Sequence, residues 1–182
     1  MTPWPGTAAW LLAASIAVVL ASAAPSATTV MGQLPTFMAQ TLNQQSISVP
    51  GGLPADRTLA LIAFRSTQRE QIEGWIQGLN LRADPSITWI RMPVLNDPGS
   101  PAARSVIKTK LMHRYPADAE RARLVPVFTD RDHFIRSAGL GGTEQVYAVV
   151  VNRDGEVLAR VEGAFDAGKA SKLRETLLLR AL

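Results

Sequence analysis

The residues best placed to do chemistry follow an apolar run at positions 59–64. A continuous apolar run of this length is typical of a central strand covered on both faces, and it ends at Arg65-Ser66-Thr67-Gln68. Ser66 or Thr67 is expected to cap the helix that follows. The free N–H groups and the dipole at the start of a helix favour anions. The candidate ligand- or partner-binding residues of this turn are Arg65, Ser66, Thr67 and Arg69.

Two interpretations of this turn remain open. In the first, the arginines and hydroxyl groups form a pocket for a carboxylate, a phosphate or an acidic side chain of a partner. In the second, the hydroxyl groups are ordinary helix caps and the two arginines are simply exposed. Only the first gives the turn a function.

Thiol chemistry is excluded, because the 182 residues include no cysteine. The chain therefore has no thiolate nucleophile, no disulfide and no cysteine metal site. A serine hydroxyl is not ionised near neutral pH, and no base lies next to Ser66 in sequence. The histidines, His113 and His133, form no pair with metal-ligand spacing. Residues 130–133, Asp-Arg-Asp-His, offer a weak metal site or, alternatively, a helix cap with a charged surface. We predict no catalytic residue, no metal and no cofactor.

The composition indicates one folded domain with a mildly basic surface. Hydrophobic residues make up 47% of the chain and charged residues 19%, which is typical of a globular protein. The formal net charge is +4, but the arginines are scattered. Such scatter favours a solvated surface over a nucleic-acid patch, so no nucleic-acid partner is expected.

The N-terminal region resembles an export signal. The first charged side chain is Asp56, and residues 8–24 form an apolar run rich in Ala, Leu and Val. The small residues that a signal peptidase prefers, Ala21, Ala23 and Ala24, precede Pro25, which predicts cleavage after Ala23 or Ala24. The protein is therefore expected to be periplasmic or secreted. The alternative is an uncleaved inner-membrane anchor facing outward, although the run is slightly short of the roughly 20 residues that span a bilayer.

The remaining sequence alternates between strand and helix patterns. The predicted elements are a β-hairpin or extended arm over 34–49, a strand over 58–64, a helix over 68–79, a strand over 87–94, a helix over 102–114 with residues 106, 107, 111 and 112 inward, a polar connector over 117–123, a strand over 124–128, a short helix over 132–138, a hairpin over 146–151 and 156–161, and a helix over 169–182. This order predicts an α/β fold with a central mixed sheet. The predicted divisions are 1–24 as signal or anchor, 25–56 as extension and hairpin, and 57–182 as the main domain.

Four stretches resemble the thioredoxin-like fold, specifically its redoxin branch of peroxiredoxin-like and thiol-disulfide exchange proteins. They are Gly32-Gln33-Leu34-Pro35-Thr36-Phe37, the strand at 59–64, Leu124-Val125-Pro126-Val127-Phe128-Thr129-Asp130, and the closing hairpin at 147–158. The resemblance covers about residues 30–182. It implies a three-layer sandwich with an N-terminal β-hairpin and helices on both faces of the sheet.

The sequence departs from this family at both of its redox hallmarks. The family's Cys-x-x-Cys or peroxidatic cysteine should fall on the turn after Phe64, where this chain has no cysteine. The family's cis-proline falls on Val146, preceded by Gln145, and a trans peptide is expected there because cis bonds before other residues are costly. The resemblance therefore implies the scaffold without dithiol chemistry. The partner-binding surface would then include the turn, Glu144, Gln145, Val146 and the loop after Val94.

The leading hypothesis is an exported, redox-inactive thioredoxin-like protein that binds a protein partner in the cell envelope, for instance during assembly of an envelope complex. The turn and Arg114-Tyr115-Pro116 are also similar to the mitochondrial ATP synthase assembly factor family. One alternative is a thiol-independent enzyme that uses Arg65, Thr67 and a histidine, which would need a histidine within hydrogen-bonding reach of Thr67. The other is a membrane-anchored form of the binding protein, with membrane contact through the N-terminal segment alone.

Overall fold

The computed structural model of the protein describes residues 29–179. The strands are β1 (Phe37–Gln40), β2 (Ser46–Val49), β3 (Arg57–Ala63), β4 (Trp89–Asn96), β5 (Val127–Thr129), β6 (Tyr147–Asn152) and β7 (Val157–Glu162). The helices are α1 (Arg69–Gly78), α2 (Pro101–Arg114), α3 (Asp118–Ala122), α4 (Arg131–Ser137) and α5 (Ala167–Leu178), and a 3₁₀ turn at Ser66–Gln68 precedes α1.

The main sheet confirms the predicted mixed architecture. Its strand order is β5-β4-β3-β6-β7. The strands β3, β4 and β5 are parallel, whereas β6 is antiparallel to β3 and β7 is antiparallel to β6. Consequently the carboxyl ends of the three parallel strands and the start of β6 meet at one edge of the sheet. The candidate turn lies at this edge.

The sheet separates two apolar layers, which explains the continuous apolar run of β3. Leu59 and Leu61 face a cluster that contains Trp75 of α1 and Leu173 of α5. Ile62 faces the opposite cluster, which contains side chains of α4 and of the N-terminal hairpin. Because both faces of β3 are covered, alternation of polar and apolar residues would bury polar groups.

The N-terminal hairpin is present as a separate two-stranded sheet. β1 pairs antiparallel with β2, and Phe37 lies opposite Val49. Phe37 also packs on Phe134 of α4, with 6.4 Å between ring centroids. The hairpin is therefore part of the layer that covers one face of the main sheet, as the three-layer prediction requires.

Several local predictions are wrong. Residues 117–123 are not only a polar connector, since they contain α3, whose first turn carries Asp118 and Glu120 where acidic groups favour helix formation. Val106 was expected to face inward but is 55% exposed, and α2 buries none of its side chains completely. β5 begins at Val127, three residues later than predicted. In contrast, the helix cap offered as one alternative for residues 130–133 is confirmed, because the Asp130 side chain accepts from the N–H group of His133 at the start of α4.

Some predictions fall outside the described residues. The predicted signal segment, with Ala21, Ala23 and Ala24, lies in residues 1–28, and the last residues of the predicted C-terminal helix are 180–182. Within residues 29–179, no helix has the length and apolar character needed to cross a membrane. The division between residues 25–56 and 57–182 stays a prediction.

Candidate functional site

A buried amide closes the turn after β3. Gln68 is only 5% exposed, and its Oε1 accepts hydrogen bonds from the backbone N–H groups of Phe64 (2.8 Å) and Arg65 (3.1 Å). Its Nε2 donates to the carbonyl of Thr143 at 2.8 Å. The same side chain therefore fixes the turn and joins it to the loop that precedes β6. Sequence reasoning missed this role, although a glutamine three residues after the cap position is one half of the capping-box pattern.

The predicted caps are wrong. Neither the 3₁₀ turn nor α1 has a side-chain cap, and Ser66 and Thr67 are exposed. The side chain that stabilises this region is instead Gln68, which accepts from the N–H groups of Phe64 and Arg65 just before the 3₁₀ turn. This leaves both hydroxyl groups at the surface.

Arg65 extends from the turn to the opposite loop. Its guanidinium group forms an ion pair with Glu144, and Nη2 lies 3.4 Å from the hydroxyl oxygen of Thr143. The two side chains of the pair are 50% and 71% exposed. Exposed pairs of this kind contribute about 0–1 kcal/mol to stability. Both charges are thus accessible to a partner.

The position at which the resembled family has its cis-proline is occupied here by a core residue, Val146. Val146 is fully buried, and the peptide bond that precedes it is trans, as predicted. Its carbonyl accepts a hydrogen bond from the N–H group of Gly163 at 2.9 Å. The structure therefore removes the Val146 side chain from the candidate surface, whereas Gln145 remains exposed.

Arg131, which the sequence did not single out, connects the three parallel strand ends. Its Nε donates to Oδ1 of Asn96 at 3.1 Å, at the end of β4, and its Nη1 lies 3.5 Å from the carbonyl oxygen of Phe64. Arg131 itself opens α4, just after β5. Arg131 thus links the end of β4 to the turn after β3.

The histidines do not form a catalytic pair with the turn. Across residues 29–179 neither His113 nor His133 makes a side-chain hydrogen bond with Thr67, and both are exposed. The same residues contain no group of three or more His, Asp and Glu side chains placed to hold a metal ion. The arrangement that would favour a thiol-independent enzyme is therefore not formed by the described part of the chain.

A cavity of about 270 Å³ opens beside the turn, between α1, α2 and the sheet. The turn contributes Phe64, Arg65 and Ser66, and α1 contributes Arg69. Three of the four predicted turn residues thus line one cavity, while Thr67 lies outside it. The other lining residues are Leu61, Ala63, Ile72, Arg91, Met92, Pro93, Leu95, Ile107, Lys110, Leu111, Arg114, Tyr115 and Leu124.

One face of α2 forms a wall of this cavity. Ile107, Lys110, Leu111 and Arg114 all line it. Their spacing of i, i+3, i+4 and i+7 places them on one helix face. The sequence predicts Ile107 and Leu111 as core positions, and Lys110 and Arg114 were not singled out. A helix face that combines apolar and basic residues is the sequence pattern that could have indicated this cavity wall.

A charge network that includes one buried arginine supports the cavity wall formed by β4. Arg91 of β4 is 4% exposed, and its Nη2 donates to Glu73 at 2.6 Å. Arg82 contacts Glu73 at 2.5 Å and Glu120 at 2.7 Å. The hydrogen bond from Arg82, reinforced by Arg91 against the opposing effect of burial, lowers the pKa of Glu73 from 4.5 to about 2. Glu73 thus stays ionised and neutralises the buried arginine.

Tyr115, which also lines the cavity, contacts two guanidinium groups with its ring. The Cζ atom of Arg69 is 5.3 Å from the ring centroid, and that of Arg91 is 5.1 Å away. Both distances fall within the range of cation–π attraction. The buried tyrosine therefore joins the exposed turn cation to the buried network.

Comparison with solved structures identifies the fold as thioredoxin-like. BsSco, a member of the Sco family of cytochrome c oxidase assembly proteins, matches with a TM-score of 0.54 at 15% identity, over 82% of this chain and 95% of that one. The thioredoxin domain of a thiol-disulfide oxidoreductase from Bacteroides vulgatus matches with a TM-score of 0.52 at 13% identity, over 83% and 99%. The pneumococcal exposed lipoprotein thioredoxin from Streptococcus pneumoniae matches with a TM-score of 0.51 at 9% identity, over 78% and 99%.

These matches confirm the predicted fold, which this chain carries without a cysteine. Comparison with protein-family models and with curated proteins finds no match. The comparisons give no support to the similarity with mitochondrial ATP synthase assembly factors.

The charge network predicts a pH-dependent stability. Because the pKa of Glu73 is depressed on folding, its stabilising effect is complete above its ordinary value of 4.5 and is lost as the pH falls toward 2. Removing one partner of a fully buried ion pair costs about 3–5 kcal/mol. Glu73 is half-buried, so we expect Glu73→Gln to lower the free energy of unfolding at pH 7 by about 2 kcal/mol. Urea unfolding between pH 7 and pH 2 measures the difference, which should shrink below pH 4.5.

Glu70→Gln is the matched control, because Glu70 is exposed on the same helix. It should change the unfolding free energy little at any pH. A Glu73→Gln effect that persists unchanged at the lowest pH would show that the carboxylate charge is not its cause.

Proposed function

We propose that this protein is an exported, redox-inactive thioredoxin-like protein that acts by binding another protein of the cell envelope. One observation carries the proposal. The turn at which the resembled redoxin family places its thiols follows β3 in this chain too, but a buried glutamine amide closes it and the chain has no cysteine. A scaffold that keeps this edge without its reactive sulfur is suited to recognition rather than to thiol exchange.

The exposed residues of the edge define the proposed binding surface. They are Arg65, Ser66, Thr67, Arg69, Glu144 and Gln145. The ion pair between Arg65 and Glu144 is exposed and contributes little to stability, so its charges can re-pair with charges on a partner. The surface therefore suits a protein with an acidic group opposite the two arginines.

The sequence and one relative support the envelope as the place of action. Residues 8–24, with the small residues at their C-terminal end, have the pattern of a secretory signal. BsSco is described as belonging to a family of cytochrome c oxidase assembly proteins. By analogy we propose a role in assembling an envelope complex, with no redox step contributed by this chain.

Site-directed photo-crosslinking in living cells tests the binding surface. A photoreactive amino acid at Thr67 should capture one defined envelope protein. The double substitution Arg65→Ala and Arg69→Ala should reduce this capture about tenfold or more, because truncating charged groups at a paired interface costs a few kcal/mol. The yield of the crosslinked product is the measurement.

The opposite end of the sheet provides matched controls. Arg153 is 51% exposed and forms an exposed ion pair with Asp56, so Arg153→Ala resembles the Arg65 change in burial and pairing. It should leave capture unchanged, and a photoreactive group at Asp154 should not capture the same protein. Equal capture by the double variant, or by the probe at Asp154, would contradict the proposed surface.

The mass of the recovered protein tests export. Protein from the periplasmic fraction should begin at Ala24 or Pro25, as cleavage after Ala23 or Ala24 requires. An intact chain in the membrane fraction would favour the anchored alternative. An intact chain in the cytoplasm would contradict export.

A further inference from the structure

We propose that the cavity between α1, α2 and the sheet binds a single-chain anionic amphiphile, namely a medium-chain carboxylate. Its acyl chain would lie on the apolar walls and its head group among the cations of the mouth. This proposal goes beyond the proposed function, because it requires no protein partner.

The walls provide the apolar environment. Leu61 and Ala63 from β3, Pro93 and Leu95 from β4, and Ile107 from α2 line the cavity. Taking about 30 Å³ for each water-sized group, the volume of about 270 Å³ holds roughly nine such groups. This corresponds to a short acyl chain such as that of decanoate.

The charged residues that line the cavity are all cations. Arg65, Arg69, Arg91, Lys110 and Arg114 line it, and no carboxylate does so among the described residues. Arg65 is paired with Glu144, and Arg91 with Glu73. The other three cations form no ion pair with any residue of the range 29–179. The mouth thus has positive charge available for a carboxylate head group.

A second observation is a buried hydrogen-bond donor in the cavity wall that has no partner among the described residues. Arg91 is 4% exposed, yet its Nε has no hydrogen-bond partner in the described part of the chain. Buried donors are almost always satisfied, so an orphaned guanidinium N–H in a cavity wall requires an explanation. A ligand with an acceptor oxygen provides one.

The helix α2, which forms one wall of the cavity, can accept a ligand without loss of core packing. α2 buries none of its side chains completely. Entry of an acyl chain therefore displaces no fully buried side chain of this helix. The chain would instead complete the burial of Ile107 and Leu111.

The apolar walls favour a carboxylate with an acyl chain over inorganic phosphate or a peptide. Inorganic phosphate would leave the apolar walls without a contact. A peptide would bring backbone N–H and C=O groups, which these walls cannot satisfy. A carboxylate with a hydrocarbon tail satisfies both the walls and the mouth.

Isothermal titration calorimetry on the mature protein with decanoate, below its micelle concentration, tests the proposal. We expect saturable binding of one molecule. Octanoate should bind about fifteenfold more weakly, since each methylene contributes about fourfold. Decanol should bind at least about tenfold more weakly than decanoate, and decanoate binding should weaken as salt rises. Acetate should show no binding.

Variants at the mouth identify the site. The double substitution Arg69→Gln and Arg114→Gln should weaken decanoate binding about tenfold or more, and both residues are exposed, so the fold should persist. Lys108→Gln is the matched control on α2, because Lys108 lies outside the cavity and donates to Oε1 of Gln40 at 3.0 Å. Absence of saturable decanoate binding, equal binding of decanol, or an equal loss in Lys108→Gln would overturn the proposal.

A filling substitution separates this proposal from the protein-binding one. Ala63→Leu places a larger side chain in the cavity and alters no residue of the exposed turn. Decanoate binding should fall while photo-capture at Thr67 persists. Unweakened decanoate binding in folded Ala63→Leu, checked by its unfolding transition, would place the ligand elsewhere and overturn the site.

Discussion

The carboxamide of Gln68 is the contact on which the candidate site depends. It accepts from two backbone N–H groups at the end of β3 and donates to a carbonyl in the loop before β6. Each such bond contributes about 1 kcal/mol net, but leaving these buried groups unsatisfied would cost more. A neutral amide therefore keeps the turn and the loop together without any sulfur chemistry.

Two surfaces follow from the position of this turn. Its outer side presents Arg65 and Thr67 to solvent at the edge where the parallel strands end. Its inner side opens onto an apolar cavity with a cationic mouth. The buried Arg91 in the cavity wall pairs with the half-buried Glu73, since a charge in the sheet is tolerated only when it is paired. One turn thus borders both the proposed binding surface and the proposed ligand cavity.

The fold could be predicted because its signals are local and repeated along the chain. The apolar run of β3, the hairpin turn at 152–155 and the cap at Asp130 each specify their own conformation. The site was predicted only in part. Gln68 and Arg91 are single polar residues whose partners lie far away in sequence, and no periodicity marks them. Val146 was misplaced on the surface because a family alignment position does not report burial.

Amide hydrogen exchange of the native protein tests the central claim most directly. If Gln68 holds the turn, the backbone N–H groups of Phe64 and Arg65 should exchange about as slowly as those of β3, through global unfolding rather than local opening. Exchange of these two groups as fast as in exposed turns would contradict the account, since the amide would then not be closing the turn.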